Sequence, residues 1–244
     1  MGLSAMEFTP VLMENVIPFD RKDIESARFE MRLALSEPAN ADSDIGDLIR
    51  ELLYEGQSAV NYGKTIAVEH EKSYAKLRTE WIPQGGARMD SFNWYYMEKV
   101  ESRTVSVKDL MPGRENLLVL TKTTESYFGG AHGNTSTACF VIDPAAVKRL
   151  TLDDIFNSRE ELRFALEAEL RRQYQLPEGA PLSSVGFFEN SIELPENFFP
   201  EKEEASGDSP SMHFFWNVYE IAPYVMGTIE VSLPLKNLSA LLRE

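Results

Sequence analysis

Arg28-Phe29-Glu30-Met31-Arg32-Leu33-Ala34-Leu35 sets four large apolar side chains, Phe29, Met31, Leu33 and Leu35, at every second position. Successive side chains of a strand point to opposite faces, so this stretch is predicted to be a half-buried strand. Pro38 through Ser43 reads as a loop, after which Ser43 or Asp44 can cap a helix starting near Ile45. The apolar stripe Ile45, Leu48, Leu52, Ala59, Ile66, Tyr74, Leu77 and Trp81 predicts one long helix. Gly56, Gly63 and His70 fall on the same stripe. A continuous helix of this length would run roughly 55 Å at about 1.5 Å per residue. Its two glycines are where it would bend or admit another backbone. Pro83 and Gly85-Gly86 end it.

A block of strands follows. Phe92 to Val100 is aromatic-rich, Arg103 to Val107 is β-branched, and Leu117 to Thr124 continues the pattern after a Pro112-Gly113 turn. Ala138, Phe140 and Ile142 alternate in a further strand closed by Asp143-Pro144. A second helix is predicted from about Arg159 to Tyr174, opened by a Ser158–Glu161 capping box and carrying Leu162, Leu166, Leu170 and Tyr174 inward. Glu160 and Glu161 in its first turn and Arg171 and Arg172 in its last complement the helix dipole. Pro195 to Ser211, with four glutamates and three prolines, reads as a long exposed loop and a candidate for disorder. Phe198-Phe199 within it is either pinned to the core or part of a contact surface. Ile229, Val231 and Leu233 form a last strand, followed by a short helix through Leu242.

Strands and helices segregate along the chain instead of alternating. The expected fold is therefore α+β, a mainly antiparallel sheet covered by a long helix and a second, shorter one. It is arranged as one layered body or as two packed sandwich-like subdomains, divided at 1–125 and 126–244.

The 244 residues carry 24 Lys+Arg against 39 Asp+Glu, a net charge of −15, which repels nucleic-acid phosphates and anionic lipid and favours basic partners. A hydrophobic content of 43% permits a packed core. No apolar run reaches the roughly 20 residues that span a bilayer, and no signal peptide is legible. One cysteine, Cys139 in a strand, excludes an internal disulfide and any multi-cysteine metal site, and is expected to be a buried, inert thiol. His70, His132 and His213 are scattered and no metal site is expected; His70 reads as a core histidine. No Walker loop, Gly-x-Ser-x-Gly elbow or dinucleotide fingerprint occurs, so no cofactor and no catalytic residue are assigned.

Two segments stand out. Tyr127-Phe128-Gly129-Gly130-Ala131-His132-Gly133-Asn134 surrounds one histidine with glycines, which admit close approach of a ligand or strand. His132 is either a general base or metal ligand, or the donor of a buried hydrogen bond pinning a tight connection; its isolation from other ligand types favours the second. Phe215-Trp216-Asn217-Val218-Tyr219-Glu220-Ile221-Ala222-Pro223-Tyr224, then Gly227, is an aromatic strand running into a turn. It supplies either core packing or a ligand cleft.

Gly129-Gly130-Ala131-His132-Gly133, Leu150-Thr151-Leu152-Asp153-Asp154-Ile155-Phe156 and Tyr219-Glu220-Ile221-Ala222-Pro223-Tyr224 with Gly227, in this order, resemble a bacterial domain family of unknown function. That family occurs in the outer part of lysozyme-sensing anti-sigma factors and ahead of the catalytic domain of some peptidoglycan deacetylases. The resemblance covers about 127–244 and implies an α+β fold, an extracytoplasmic location (periplasmic, secreted or lipid-anchored) and a sensing or binding role. The expected ligand is a basic protein such as lysozyme or a cell-wall glycan, and the candidate contact residues are Gly130, His132, Phe198, Phe199, Tyr219, Glu220 and Tyr224. A hydrolase acting on carbohydrate or peptidoglycan and a purely structural interaction domain are the rival readings.

Overall fold

The computed structural model describes residues 6–19, 27–40, 42–80, 93–108, 111, 113–201 and 210–243. Among these lie nine strands in two mostly antiparallel sheets, with one long helix and several shorter ones. The six-stranded sheet has the order β1 (Phe8–Pro18), β2 (Arg28–Pro38), β3 (Trp94–Ser106), β4 (Asn116–Tyr127), β5 (Asn134–Asp143), β6 (Lys148–Leu150). The three-stranded sheet has the order β7 (Asn197–Glu201), β8 (Ser211–Trp216), β9 (Ile229–Pro234). The expected α+β class holds, with β2–β3 as a parallel pair, reached by a crossover through α1 (Asp44–Tyr54) and α2 (Ala59–Glu80). The chain divides into two compact units, Gly2–Glu101 with Thr121–Ser136 and Ser102–Leu120 with Thr137–Glu244, each described by itself.

In the first unit β2 is the strand its alternation predicts. Phe29, Met31, Leu33 and Leu35 are all buried. β1 pairs with it antiparallel, Met13 opposite Leu33, and was not legible in the sequence. Its outward face carries Leu12 and Val16, so both faces of the strand are apolar and the period-2 signal disappears. Ser43 caps α1 by accepting from the Gly46 amide at 3.3 Å, as expected.

The predicted single helix is two. Glu55 (φ 55°) and Gly56 (φ 76°) turn the backbone left-handed after Tyr54, a conformation that favours glycine. The new helix then starts with the Ala59 amide on the Glu37 carboxylate at 2.6 Å. That carboxylate also accepts from Arg50 at 2.7 Å, so it holds the end of one helix and the start of the next to strand β2. The α1 stripe is displaced by one position from the predicted one: Ile49, Leu53 and Tyr54 are buried, while Ile45, Leu48 and Leu52 are half-buried. In α2, Gly63 lies where an added Cβ would stand 2.6 Å from Met13 Sδ, so the helix is seated directly on β1. Trp81, Pro83 and Gly85-Gly86, predicted to finish the helix, lie outside the described residues.

The two strands predicted at Phe92–Val100 and Arg103–Val107 are one, β3 (Trp94–Ser106), with Phe92 outside the described residues. In the second unit, of the predicted face of Ala138, Phe140 and Ile142 only Ile142 is buried, and β5 buries Cys139 and Val141 beside it. α3 (Leu152–Ile155) opens with a reciprocal capping box between Thr151 and Asp154. α4 (Arg159–Gln173) is capped by Ser158, which accepts from the Glu161 amide at 3.2 Å, and buries Leu162, Leu166 and Leu170 completely. These leucines join a core with Phe156, Met212, Phe214, Trp216, Val231 and Leu238. The predicted terminal helix is the single turn α5 (Leu235–Leu238) followed by a 3-10 turn.

Cys139 is 4% exposed, its thiol pushed up to about 12, first by burial. The folded protein is therefore expected to resist alkylation by iodoacetamide at pH 8 over hours, and to label at once in denaturant. Rapid labelling of the native state, read by mass spectrometry, would contradict this packing.

Candidate functional site

Two asparagines decide how the aromatic segment after β8 is presented. Asn217 accepts from the Thr137 amide at 2.8 Å and donates to the Thr137 carbonyl at 3.0 Å, so its side chain pairs with β5 as a strand backbone would. Asn197 on β7 does half of the same, accepting from the Cys139 amide at 2.9 Å. With Asn217 fixed there, the chain turns sharply. The Glu220 amide returns to the Asn217 carbonyl at 3.1 Å, and Tyr219 takes φ 69°, a left-handed conformation rare for an aromatic residue. Non-glycine residues held there store of order 1–3 kcal/mol of strain, which the surrounding packing must offset.

The packing that does so is the next pair of residues. Ile221 and Ala222 are buried, and the Ile221 carbonyl accepts from the Phe188 amide at 3.0 Å. Holding Ile221 and Ala222 inward turns their neighbours outward. Tyr219 is 52% exposed, Val225 is 89% exposed and Phe188 is 51% exposed. Tyr224, in a short 3-10 turn after Pro223, lies with its ring 5.7 Å from that of Tyr219 at 35°. Glu220 stands exposed between them and accepts from Asn217 Nδ2 at 3.0 Å. The segment thus splits its roles: Phe214, Phe215 and Trp216 pack the core, whereas exposed Tyr219 and Val225 with half-buried Tyr224 form a surface apolar patch beside one carboxylate.

Other expected contact residues fall elsewhere. Pro195–Ser211, expected to be one long loop and a candidate for disorder, holds β7 at Asn197–Glu201 and the first residue of β8 at Ser211, while 202–209 lies outside the described residues. Phe198 is buried against the core and is unavailable as a contact. Phe199 points the other way, stacked on His213 at 5.1 Å and covered by the Arg103 guanidinium at 4.1 Å. Glu201 joins this cluster, reaching His213 Nε2 at 2.7 Å and Arg103 at 3.4 Å.

Gly130 and His132 belong to the first unit. Gly130 (φ 112°) is exposed and its carbonyl accepts from the Tyr127 hydroxyl at 3.0 Å. His132 is also exposed, and its Nδ1 contacts the adjacent Gly133 carbonyl at 2.8 Å, so the expected buried hydrogen bond is corrected to a local, solvent-facing one. The glycine that matters for packing is Gly133. A Cβ there would stand 2.6 Å from Tyr95 Oη and 3.0 Å from the Ser126 carbonyl. His70 is half-buried between Phe29, Tyr96 and Phe128, its ring 4.1 Å from that of Tyr96, and desolvation lowers its pKa. No group of metal-ligating side chains forms among the described residues.

The polar cluster that sequence reading missed lies beneath α2. Glu98 is 3% exposed, and its Oε1 accepts from the Tyr62 hydroxyl at 2.9 Å and the Tyr96 hydroxyl at 2.5 Å. Lys122 Nζ sits 3.4 Å from the same oxygen and donates to Tyr62 Oη at 2.6 Å and to the Leu53 carbonyl at 3.0 Å. Burial, then the carboxylate, pushes both tyrosine pKa values strongly up, so these hydroxyls stay protonated and donate. Its signal was available in the parity of β3: Trp94, Tyr96, Glu98 and Val100 share one face, and three of the four are apolar or aromatic.

Comparison with known proteins follows the same division. The model of a family described as "Protein of unknown function (DUF3298)" matches residues 153–236, a span that includes the Tyr219–Gly227 segment and leaves out the glycine-rich one. Among solved structures, a DUF3298 family member from Bacteroides fragilis NCTC 9343 is 21% identical with a TM-score of 0.75, covering 98% of this chain and 94% of that one. A DUF3298 family protein from Pseudomonas aeruginosa PAO1 is 14% identical with a TM-score of 0.60, covering 98% and 95%. No curated protein matches the chain. At these identities the two structures establish a shared fold, and the similarity to the DUF3298 family model is confined to residues 153–236.

Proposed function

We propose that the protein is a non-catalytic binding protein of the bacterial envelope, located outside the cytoplasm, whose ligand is a basic, lysozyme-like protein engaged through the Tyr219–Tyr224 turn. The observation that carries this reading is the surface apolar patch itself. Tyr219, Val225 and Phe188 are exposed and Tyr224 is half-buried beside Tyr219, on a turn with a strained backbone and buried neighbours, and surface tyrosines supply much of the energy of protein interfaces. The net charge of −15 supports a basic partner by speeding its encounter. A cell-wall glycan is the second reading, favoured by two tilted tyrosine rings beside the Glu220 carboxylate.

Calorimetry with lysozyme and with soluble peptidoglycan fragments, at low and high salt, tests both. Tyr219→Ala and Tyr224→Ala are each expected to weaken lysozyme binding by about tenfold or more, as truncation of an interface anchor costs on the order of 1–2 kcal/mol or above. The protein complex should weaken as salt rises, because the Debye length falls from about 30 Å at 0.01 M to about 3 Å at 1 M. A stacked glycan should scarcely respond. Absence of binding by either, with cleavage of a glycan that Glu220→Gln abolishes, would replace this reading with a hydrolase.

A further inference from the structure

Among the described residues, the first unit covers only one face of its strands. α2 is seated on the side that carries Met13 and Leu33. Alternation therefore sends Leu12 and Glu14 of β1, Arg32 and Ala34 of β2, and Met97 and Lys99 of β3 to the other side. On that open side is a groove of about 590 Å³, to which β4 adds Thr123 and Glu125. Leu12, 75% exposed, Ala34 and Met97 give it an apolar floor.

The charges around this floor do not balance. Lys99 pairs with Glu101 at 2.7 Å. Arg32 stands directly across from Glu14 in the register but pairs with Glu30 at 3.7 Å. Lys99 is thereby neutralised on its own strand, whereas Glu30 is shared with Arg28 and offsets Arg32 only in part. Glu14 on β1 and Glu125 on β4 are both exposed and make no ion pair or hydrogen bond among the described residues. Four carboxylates, Glu14, Glu30, Glu101 and Glu125, thus outnumber the three cations Arg28, Arg32 and Lys99 around the floor, and the two that form no ion pair stand on opposite sides of it, three strand intervals apart, or about 14 Å at roughly 4.8 Å per interval. An extended peptide covers the same distance in four residues at about 3.4 Å each, with residues i, i+2 and i+4 on one face.

We propose that this groove binds an extended protein segment of the pattern basic-x-apolar-x-basic, laid across β1 to β4. The apolar side chain rests on Leu12, Ala34 and Met97, and the two cations reach Glu14 and Glu125. The site lies in a different unit from the Tyr219–Tyr224 turn and does not depend on it.

The test is titration calorimetry in low-salt buffer with the peptide acetyl-Lys-Ser-Leu-Ser-Lys-amide, on the full chain. Glu14→Gln and Glu125→Gln keep shape and remove only charge from exposed positions, so folding is preserved. Each is expected to weaken binding by up to about fivefold, the range of a single exposed ion pair, and the double variant by about twentyfold. Leu12→Ser should weaken it as well, and the glutamate analogue of the peptide should not bind. Tyr219→Ala should leave peptide affinity unchanged, which separates this site from the other. Affinity that is indifferent to Glu14 and Glu125, equal affinity for acetyl-Lys-Leu-Lys-amide, or binding of spermidine without the peptide would each overturn the proposal.

Discussion

Lys122→Ala is expected to destabilise the protein by about 3–5 kcal/mol, the cost of leaving a buried carboxylate without its counter-charge. Glu98 has little else to fall back on. Its Oε1 already takes both tyrosine hydroxyls, and its Oε2 is buried with no hydrogen-bond partner among the described residues. Removing Nζ also strips the Leu53 carbonyl at the end of α1 of its donor and leaves the face of the Tyr62 ring, over which Nζ sits at 4.3 Å. Urea denaturation measures the loss. The double variant Lys122→Met with Glu98→Leu should recover most of it, since well-packed apolar residues often replace a buried pair at little cost. A loss below about 1 kcal/mol in Lys122→Ala would show that Glu98 is solvated and that the cluster does not hold α1 and α2 to the sheet.

Trp216→Ala is expected to cost about 3–5 kcal/mol, the range for deleting a large buried aromatic. Trp216 is 2% exposed at the end of β8, in the core that α4 closes with Leu162, Leu166 and Leu170. Its indole donates from Nε1 to the Glu193 carbonyl at 2.8 Å, so truncation opens a cavity and removes that acceptor's partner together. Trp216→Phe separates the two effects, keeping most of the volume and losing the bond, and should cost clearly less. Because Asn217 follows directly and anchors the Tyr219 turn to β5, Trp216→Ala should also weaken any ligand of that turn beyond what unfolding explains. Stability measured by urea, and binding measured well below the midpoint, distinguish these.

Much of the architecture was legible because it is local. The alternation of Phe29, Met31, Leu33 and Leu35, the caps at Ser43 and Ser158 and the leucine stripe of α4 follow from side-chain period and free backbone groups within a few residues. Where periodicity misled, a specific competing interaction was responsible. The long helix is interrupted because the left-handed turn at Glu55 and Gly56 lets the Glu37 carboxylate serve both helix ends. β7 forms inside a stretch whose acidic composition reads as loop because Phe198 is buried and Asn197 bonds to β5.

The candidate sites divide in the same way. Sequence alone determined that an aromatic strand around Phe215 and Trp216 runs into a turn near Pro223 and Gly227, since a proline, a glycine and a strand end are local signals. Only the tertiary structure decided that Ile221 and Ala222 go inward and Tyr219 outward, because that choice depends on what β5 and Phe188 offer across the fold. The same holds for Glu98 and Lys122, which meet between β3 and β4, and for Glu14 and Glu125, which share a groove though 111 positions separate them in the numbering. Period and capping act over a turn or a strand pair, whereas burial of a charge or exposure of an aromatic ring is settled by partners that the chain brings together only when it folds.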